Sequence, residues 1–150
     1  MAMGPDYYSR FPGFQSNPTA SSSDEFTRLA RHMGWGKKSK TYKRERASFL
    51  ASEFATHYGA DGTKLQNWQA LCLELQIREP IDTITKCRKA LSKVHVNLVD
   101  LIDARRTGKA PTKFPNSQSL REYTVSKGKI FPKAAAKEDG FLKALLRRIL

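Results

Sequence analysis

The stretch "VHVNLVDLIDARRTG", residues 94–108, decides the fold class. Val94, Val96 and Leu98 alternate as residues of a strand do, whereas Leu98, Leu101 and Ile102 repeat at helical spacing. Asn97 offers an N-cap side chain, Asp100 follows three residues on, and Gly108 offers a C-terminal stop. The stretch is therefore read as a helix capped by Asn97 and ended by Gly108. Two alternatives stay open at this level: a strand within 94–102, and one buried helix spanning 82–107.

Helical signals continue on both sides of it. Upstream, "SSSDEFTRLARHMGW" opens with Ser22 and Glu25 in capping-box spacing, carries Phe26, Leu29, Ala30 and Met33 on one face, and closes at Gly34. A second helix is expected from about Ser39 to Tyr58, with Ala47, Leu50, Phe54 and Tyr58 facing the core and Gly59 stopping it. A third starts near Thr63 and carries Leu65, Trp68, Leu71, Cys72 and Leu75 as an apolar stripe. Pro80 and Asp82 announce a fourth, in which Ile84, Cys87, Leu91 and Val94 point one way and Lys86, Lys89 and Lys93 the other.

Downstream, "KAPTKFPNSQ" reads as a connector, followed by a short helix over Ser117–Thr124 and a loop through Gly128. The last helix starts near Pro132, is interrupted by Gly140, and directs Leu142, Leu145, Leu146 and Ile149 inward. Residues 1–20 combine Pro5, Pro12, Pro18 and Gly13 with Tyr7, Tyr8, Phe11 and Phe14, the composition of an arm laid against a domain through its rings. The expected architecture is all-α. It is a single-domain bundle of six to seven helices over 21–150 with an extended N-terminal arm over 1–20.

Composition narrows the function. A chain of 150 residues with 39% hydrophobic and 10% aromatic side chains has enough apolar mass for one core without metal or disulfide staples. Its net charge of +13 exceeds what solubility requires and points to an anionic partner. The surplus lies in three blocks, 37–58, 81–108 and 109–150, separated by a weakly acidic segment. Only Cys72 and Cys87 are present, which favours a reducing, intracellular compartment. The N-terminus shows no apolar run of signal-peptide length, and no stretch has the length of a membrane span.

Catalytic signatures are missing. The chain has no nucleophile elbow, no H-E-x-x-H motif and no glycine-rich phosphate loop, so no enzyme is expected and no cofactor is implied. His32, His57, His95, Cys72 and Cys87 are ligand types for zinc, yet their spacing forms no C-x-x-C pair, and no metal site is expected. Asp100 and Asp103 share a helix face and read as salt-bridge carboxylates.

The basic blocks are the remaining candidates. "KKSKTYKRER" carries Lys37, Lys38, Lys40, Lys43, Arg44 and Arg46 against the single acid Glu45, and its cations do not keep to one helical face. That pattern predicts a first turn projecting past the core, wet on all sides, with Tyr42 packed or free to stack on a base. Lys86, Lys89 and Lys93 form a stripe, and Arg105, Arg106 and Lys109 close a helix. "SKGKIFPK" adds Lys127, Lys129 and Lys133 in a loop, and Lys143, Arg147 and Arg148 lie off the core face of the last helix. Several cations facing one way neutralise phosphates and release condensed counterions, which is how a protein grips nucleic acid without reading its bases.

The phrases "EFTRLARHMGW", "NWQALC" with "ITKCRKAL", "VNLVDLIDARRTG" and the closing "FPKAAAKEDGFLKALLRRIL" together resemble a family of small uncharacterised proteins of filamentous fungi. The resemblance implies a fungal source and a domain from about residue 24 to the end, and it carries no site residues. Residues 64–91 are similar in outline to the SAP helix–turn–helix module, which implies contact with a DNA backbone. Leu65, Leu71 and Leu75 would be its first apolar set and Ile84, Cys87 and Leu91 its second, although the usual Gly before the second helix is absent and Trp68 is bulkier than the pattern.

The expected function is non-enzymatic: a small, basic, nuclear protein that binds DNA or RNA through phosphates with little sequence specificity. The expected nucleic-acid-binding residues are Lys37, Lys38, Lys40, Lys43, Arg44, Arg46, Lys86, Lys89, Lys93, Arg105 and Arg106. The alternative is a protein–protein interaction module that docks an acidic or helical partner, with the aromatic arm and "VNLVDLI" forming or covering its groove.

Overall fold

The computed structural model describes residues 7–137, 141, 142 and 145. Six α-helices occupy most of them: α1 (Ser22–Met33), α2 (Lys40–Tyr58), α3 (Leu65–Glu74), α4 (Ile84–Leu91), α5 (Leu98–Thr107) and α6 (Ser117–Ser126). Tyr7–Arg10 and Lys133–Lys137 form 3-10 turns, and two short strands, β1 (His95–Val96) and β2 (Lys113–Phe114), complete the set. The fold is all-α, and among the described residues no helix is long and apolar enough to cross a membrane.

Residues 94–108 contain both of the patterns seen in their sequence. His95 pairs antiparallel with Phe114 and Val96 with Lys113. The chain then turns at Asn97, whose Oδ1 accepts the Val99 and Asp100 N–H groups at 2.9 and 3.1 Å. Gly108 ends α5 in the left-handed region at φ 79°. One helix over 82–107 is excluded, because α4 stops at Leu91. The Asn97 amide also donates to Thr124 Oγ1 at 3.1 Å and to the Lys129 carbonyl at 3.0 Å, so the cap ties α5 to the end of α6.

Helix α2 is the axis of the core. Phe49, Leu50, Phe54 and Tyr58 are buried along it, against Phe26 and Leu29 of α1, Trp68 and Leu71 of α3, and Leu101 and Ile102 of α5. Each such side chain contributes about 1.5–3 kcal/mol relative to exposure. Phe141, Leu142 and Leu145 are helical and fully buried, and the Trp68 ring meets Phe141 edge-on at 4.7 Å. Leu146, Ile149, Lys143, Arg147 and Arg148 lie outside the described residues. Tyr7 and Phe11 are buried and Tyr8 and Phe14 half-buried, so residues 7–14 lie on the domain through their rings. Within them, Tyr7–Arg10 form a 3-10 turn rather than an extended segment.

The capping box on α1 is displaced by one residue. Ser21, not Ser22, is the N-cap, and its Oγ accepts from Asp24 N at 3.1 Å. Glu25 does not reach back to the cap, because its carboxylate is buried beneath α1. At the other end of α2, Gly59 takes φ 88°, and a Cβ there would stand 2.6 Å from the Asn67 amide. Helices α3 and α4 close as a hairpin around Cys72 and Cys87, both fully buried thiols. Burial pushes the Cys72 thiol up to about 12, with Cys87 beside it adding to the effect.

Candidate nucleic-acid interface

The basic stretch 37–46 is built by two local devices. Gly34, at φ 75°, ends α1, and the Ser39 N–H closes a turn onto the Gly36 carbonyl at 2.9 Å. Lys37 and Lys38 occupy the tip of that turn, exposed. Ser39 then caps α2, its Oγ accepting from Tyr42 N at 3.1 Å, and Lys40, Lys43 and Arg44 follow on the exposed side. The only acid of the stretch, Glu45, is buried: it accepts from Tyr7 Oη at 3.0 Å and from Arg10 at 3.3 Å. Burial, with the Glu45 carboxylate beside it, raises the Tyr7 hydroxyl far above the usual range.

The expectation of a turn wet on all sides is corrected here. Tyr42 packs edge-on against Phe26 at 5.0 Å, and Arg46 is half-buried with Nη1 donating to the Ile130 carbonyl at 2.9 Å. Burial pulls the Arg46 guanidinium below its ordinary value, and no carboxylate among the described residues pairs with it. Arg46 faces a cleft of about 270 Å³ between α1, α2 and the end of α6. Lys37 and Lys127 line the same cleft, Ser22 and Tyr42 bring hydroxyls to its wall, and Phe26 and Phe49 form part of its lining. Among the described residues that line it, three are cationic and none is acidic.

The other expected residues are not gathered there. Lys86 and Lys89 are exposed on α4, which packs on α3, whereas Lys93 lies in the turn past its end at Leu91 rather than on the expected helical stripe; Lys86 pairs with Asp82 at 2.9 Å and Lys93 with Glu79 at 3.4 Å. Arg105 pairs with Glu74 at 2.9 Å and lies over the Tyr58 ring, at the opposite end of α2 from Lys40. From Arg46 to Tyr58 is about 18 Å along the helix axis.

Arg106 is withdrawn from any surface. Its side chain is 4% exposed, and its guanidinium joins Glu25 of α1 and Glu53 of α2 while donating to the carbonyls of Ala20 and Asn17. A phosphate cannot reach it in the folded chain. Lys127, the cation that completes the cleft, stands in the sequence as one more loop lysine. Only its position at the end of α6 distinguishes it, and no local signal marks that.

Other polar groups tie elements of the fold together. Asp100 receives Lys129 Nζ at 2.7 Å and Tyr123 Oη at 2.6 Å, tying α5 to α6. Burial pulls the Lys129 ammonium down, but its hydrogen bonds to Asp100 and Tyr123 outweigh this and hold its pKa above the usual lysine value. Asp103 accepts the Ser22 N–H at 2.7 Å, and burial raises its carboxyl. Among the described residues no three His, Cys, Asp or Glu side chains gather around a common point. The apolar run "VNLVDLI" is core: Val96, Leu98, Val99, Leu101 and Ile102 are buried.

Compared with known proteins, the chain matches no family model, no curated protein and no solved structure.

Proposed function

We propose that this protein binds nucleic acid non-specifically through its phosphate backbone, using the basic end of α2. Lys37, Lys38, Lys40, Lys43 and Arg44 form the contact surface, with Arg46 at its inner edge. The single observation that carries this reading is that these cations crowd the positive end of the α2 dipole with no acid in its first turn. Cations at a helix N-terminus are unfavourable by about 0.3–1 kcal/mol each, and a bound anion relieves that cost. A solvated helix start has no need of the arrangement. Lys86 and Lys89 on α4 and Lys93 just past its end form at most a secondary contact, since two of the three already face carboxylates. The nucleus is the compartment such a protein would serve.

The test is fluorescence anisotropy of labelled single- and double-stranded oligonucleotides across a salt series. Micromolar or tighter binding is expected, with log K falling linearly against log salt and similar values for unrelated sequences. No binding at physiological salt would overturn the reading.

A further inference from the structure

We infer that the cleft between α1, α2 and the end of α6 is a dedicated site for one phosphate group, held by Arg46, Lys37 and Lys127. The inference rests on the polyanion reading and deepens it by naming where a single phosphate seats. Surface lysines at a helix start make a diffuse positive field, which attracts any anion and orders none. The cleft differs in three respects.

Its central cation is half-buried. Arg46 gives one N–H to the Ile130 carbonyl, and a guanidinium carries five N–H donors in a rigid fork suited to phosphate oxygens. A desolvated guanidinium with no carboxylate partner among the described residues is costly to keep in a fold unless an anion completes it. Its three cations come from separate elements: the α1–α2 turn, the second turn of α2 and the end of α6. Its size is also selective. A cleft of about 270 Å³ falls below the range of roughly 300–1,000 Å³ usual for larger ligands, and suits a phosphate with part of its ester.

The α1 N-terminus is not the source of the charge, because Asp103 and Ser21 already take the N–H groups of Ser22 and Asp24. The hydroxyls of Ser22 and Tyr42 add polar contacts to the phosphate oxygens. Such a phosphate belongs either to a nucleic-acid backbone or to a small phosphate ester; the chemistry in the cleft is the same.

The experiment is an NMR titration of the full chain with inorganic phosphate, against sodium chloride at matched ionic strength. Wild type, Arg46→Gln and Lys127→Gln are compared. Lys127 is exposed at the C-cap of α6, so its variant keeps the fold even where Arg46→Gln does not. Saturable shifts around Tyr42, Arg46 and Gly128 are expected, with affinity reduced roughly tenfold or more in each variant. Shifts that match chloride, or that are unchanged in Lys127→Gln, would overturn the site. Oligonucleotide binding that persists in that case leaves the polyanion reading standing, so the two failures are distinguishable. Where the site is real, an oligonucleotide that displaces phosphate identifies a backbone phosphate as the occupant. Simultaneous binding of both identifies a small ester.

Discussion

Arg106 Nη2 lies 3.2 Å from Glu25 Oε2, with the arginine side chain 4% exposed and the glutamate 0%. Glu53 holds the same guanidinium from α2, so one cation bridges two enclosed carboxylates and joins α1, α2 and α5, while Arg28 supplies Glu25 with a second positive partner. Removing one partner of a buried pair leaves an uncompensated charge and costs about 3–5 kcal/mol. Arg106→Ala should therefore lower the urea midpoint sharply or prevent folding, and Glu25→Gln should do so to a smaller extent. An Arg106 variant with unaltered stability would refute the network.

Charge reversal should separate the basic surfaces. Lys38→Glu with Lys43→Glu should weaken oligonucleotide binding for all sequences alike and flatten the salt slope by up to about 2, since each phosphate contact contributes about 0.9. Lys86→Glu with Lys93→Glu should do much less, because both lysines already face carboxylates on the α4 side. Equal effects from the two pairs would place the contact surface elsewhere.

Asn97 makes four hydrogen bonds while 2% exposed. Asn97→Ala removes a helix cap worth about 1 kcal/mol and strands buried polar groups at about 1–3 kcal/mol each. Thermal unfolding should show a large drop. Thr124→Val, which removes one acceptor, should show a small one.

Burial lowers His57, Arg105 lowers it further, and Glu74 opposes both. The folded-state value is thus depressed below the unfolded 6.5, and at neutral pH the ring is uncharged although Glu53 stands 3.8 Å away. The linked stability is fully present above about pH 6.5 and is lost as pH falls through the folded value. Urea midpoints should fall on acidification from pH 7 to 5, and the fall should be shallower in His57→Gln. Identical slopes in the two proteins would assign the effect to another group.

Gly59→Ala combines a φ of 88° with a Cβ 2.6 Å from the Asn67 side chain. Strain of this kind costs about 1–3 kcal/mol, and denaturant midpoints should register it. Replacing Gly108, where a Cβ meets nothing within 4 Å, should cost less.

What the sequence made legible was local. Ser39, Asn97, Gly34 and Gly108 terminate helices through bonds spanning a few residues, so those ends could be read directly. The site was only half legible for the converse reason. Arg105 and Arg106 are neighbours in a run of two, turned about 100° apart by the helix. Which one faces inward depends on Glu25 and Glu53, far off in sequence. The first turns of α2 read as wet because the rings that cover them come from residues 7–14 and from Phe26. Lys127 comes to line the same cleft as Arg46 and Lys37 only in the folded chain.

The two enclosed sulfurs of the α3–α4 hairpin make this chain its own clock. A thiol that is sealed from solvent, with its pKa raised by burial as both of these are, reacts with an alkylating reagent only while its surroundings are open. Labelling of Cys72 and Cys87 in the native protein therefore reports how often that hairpin comes apart. Its pace, with and without an oligonucleotide present, would show whether an anion held at one end of the molecule steadies the other.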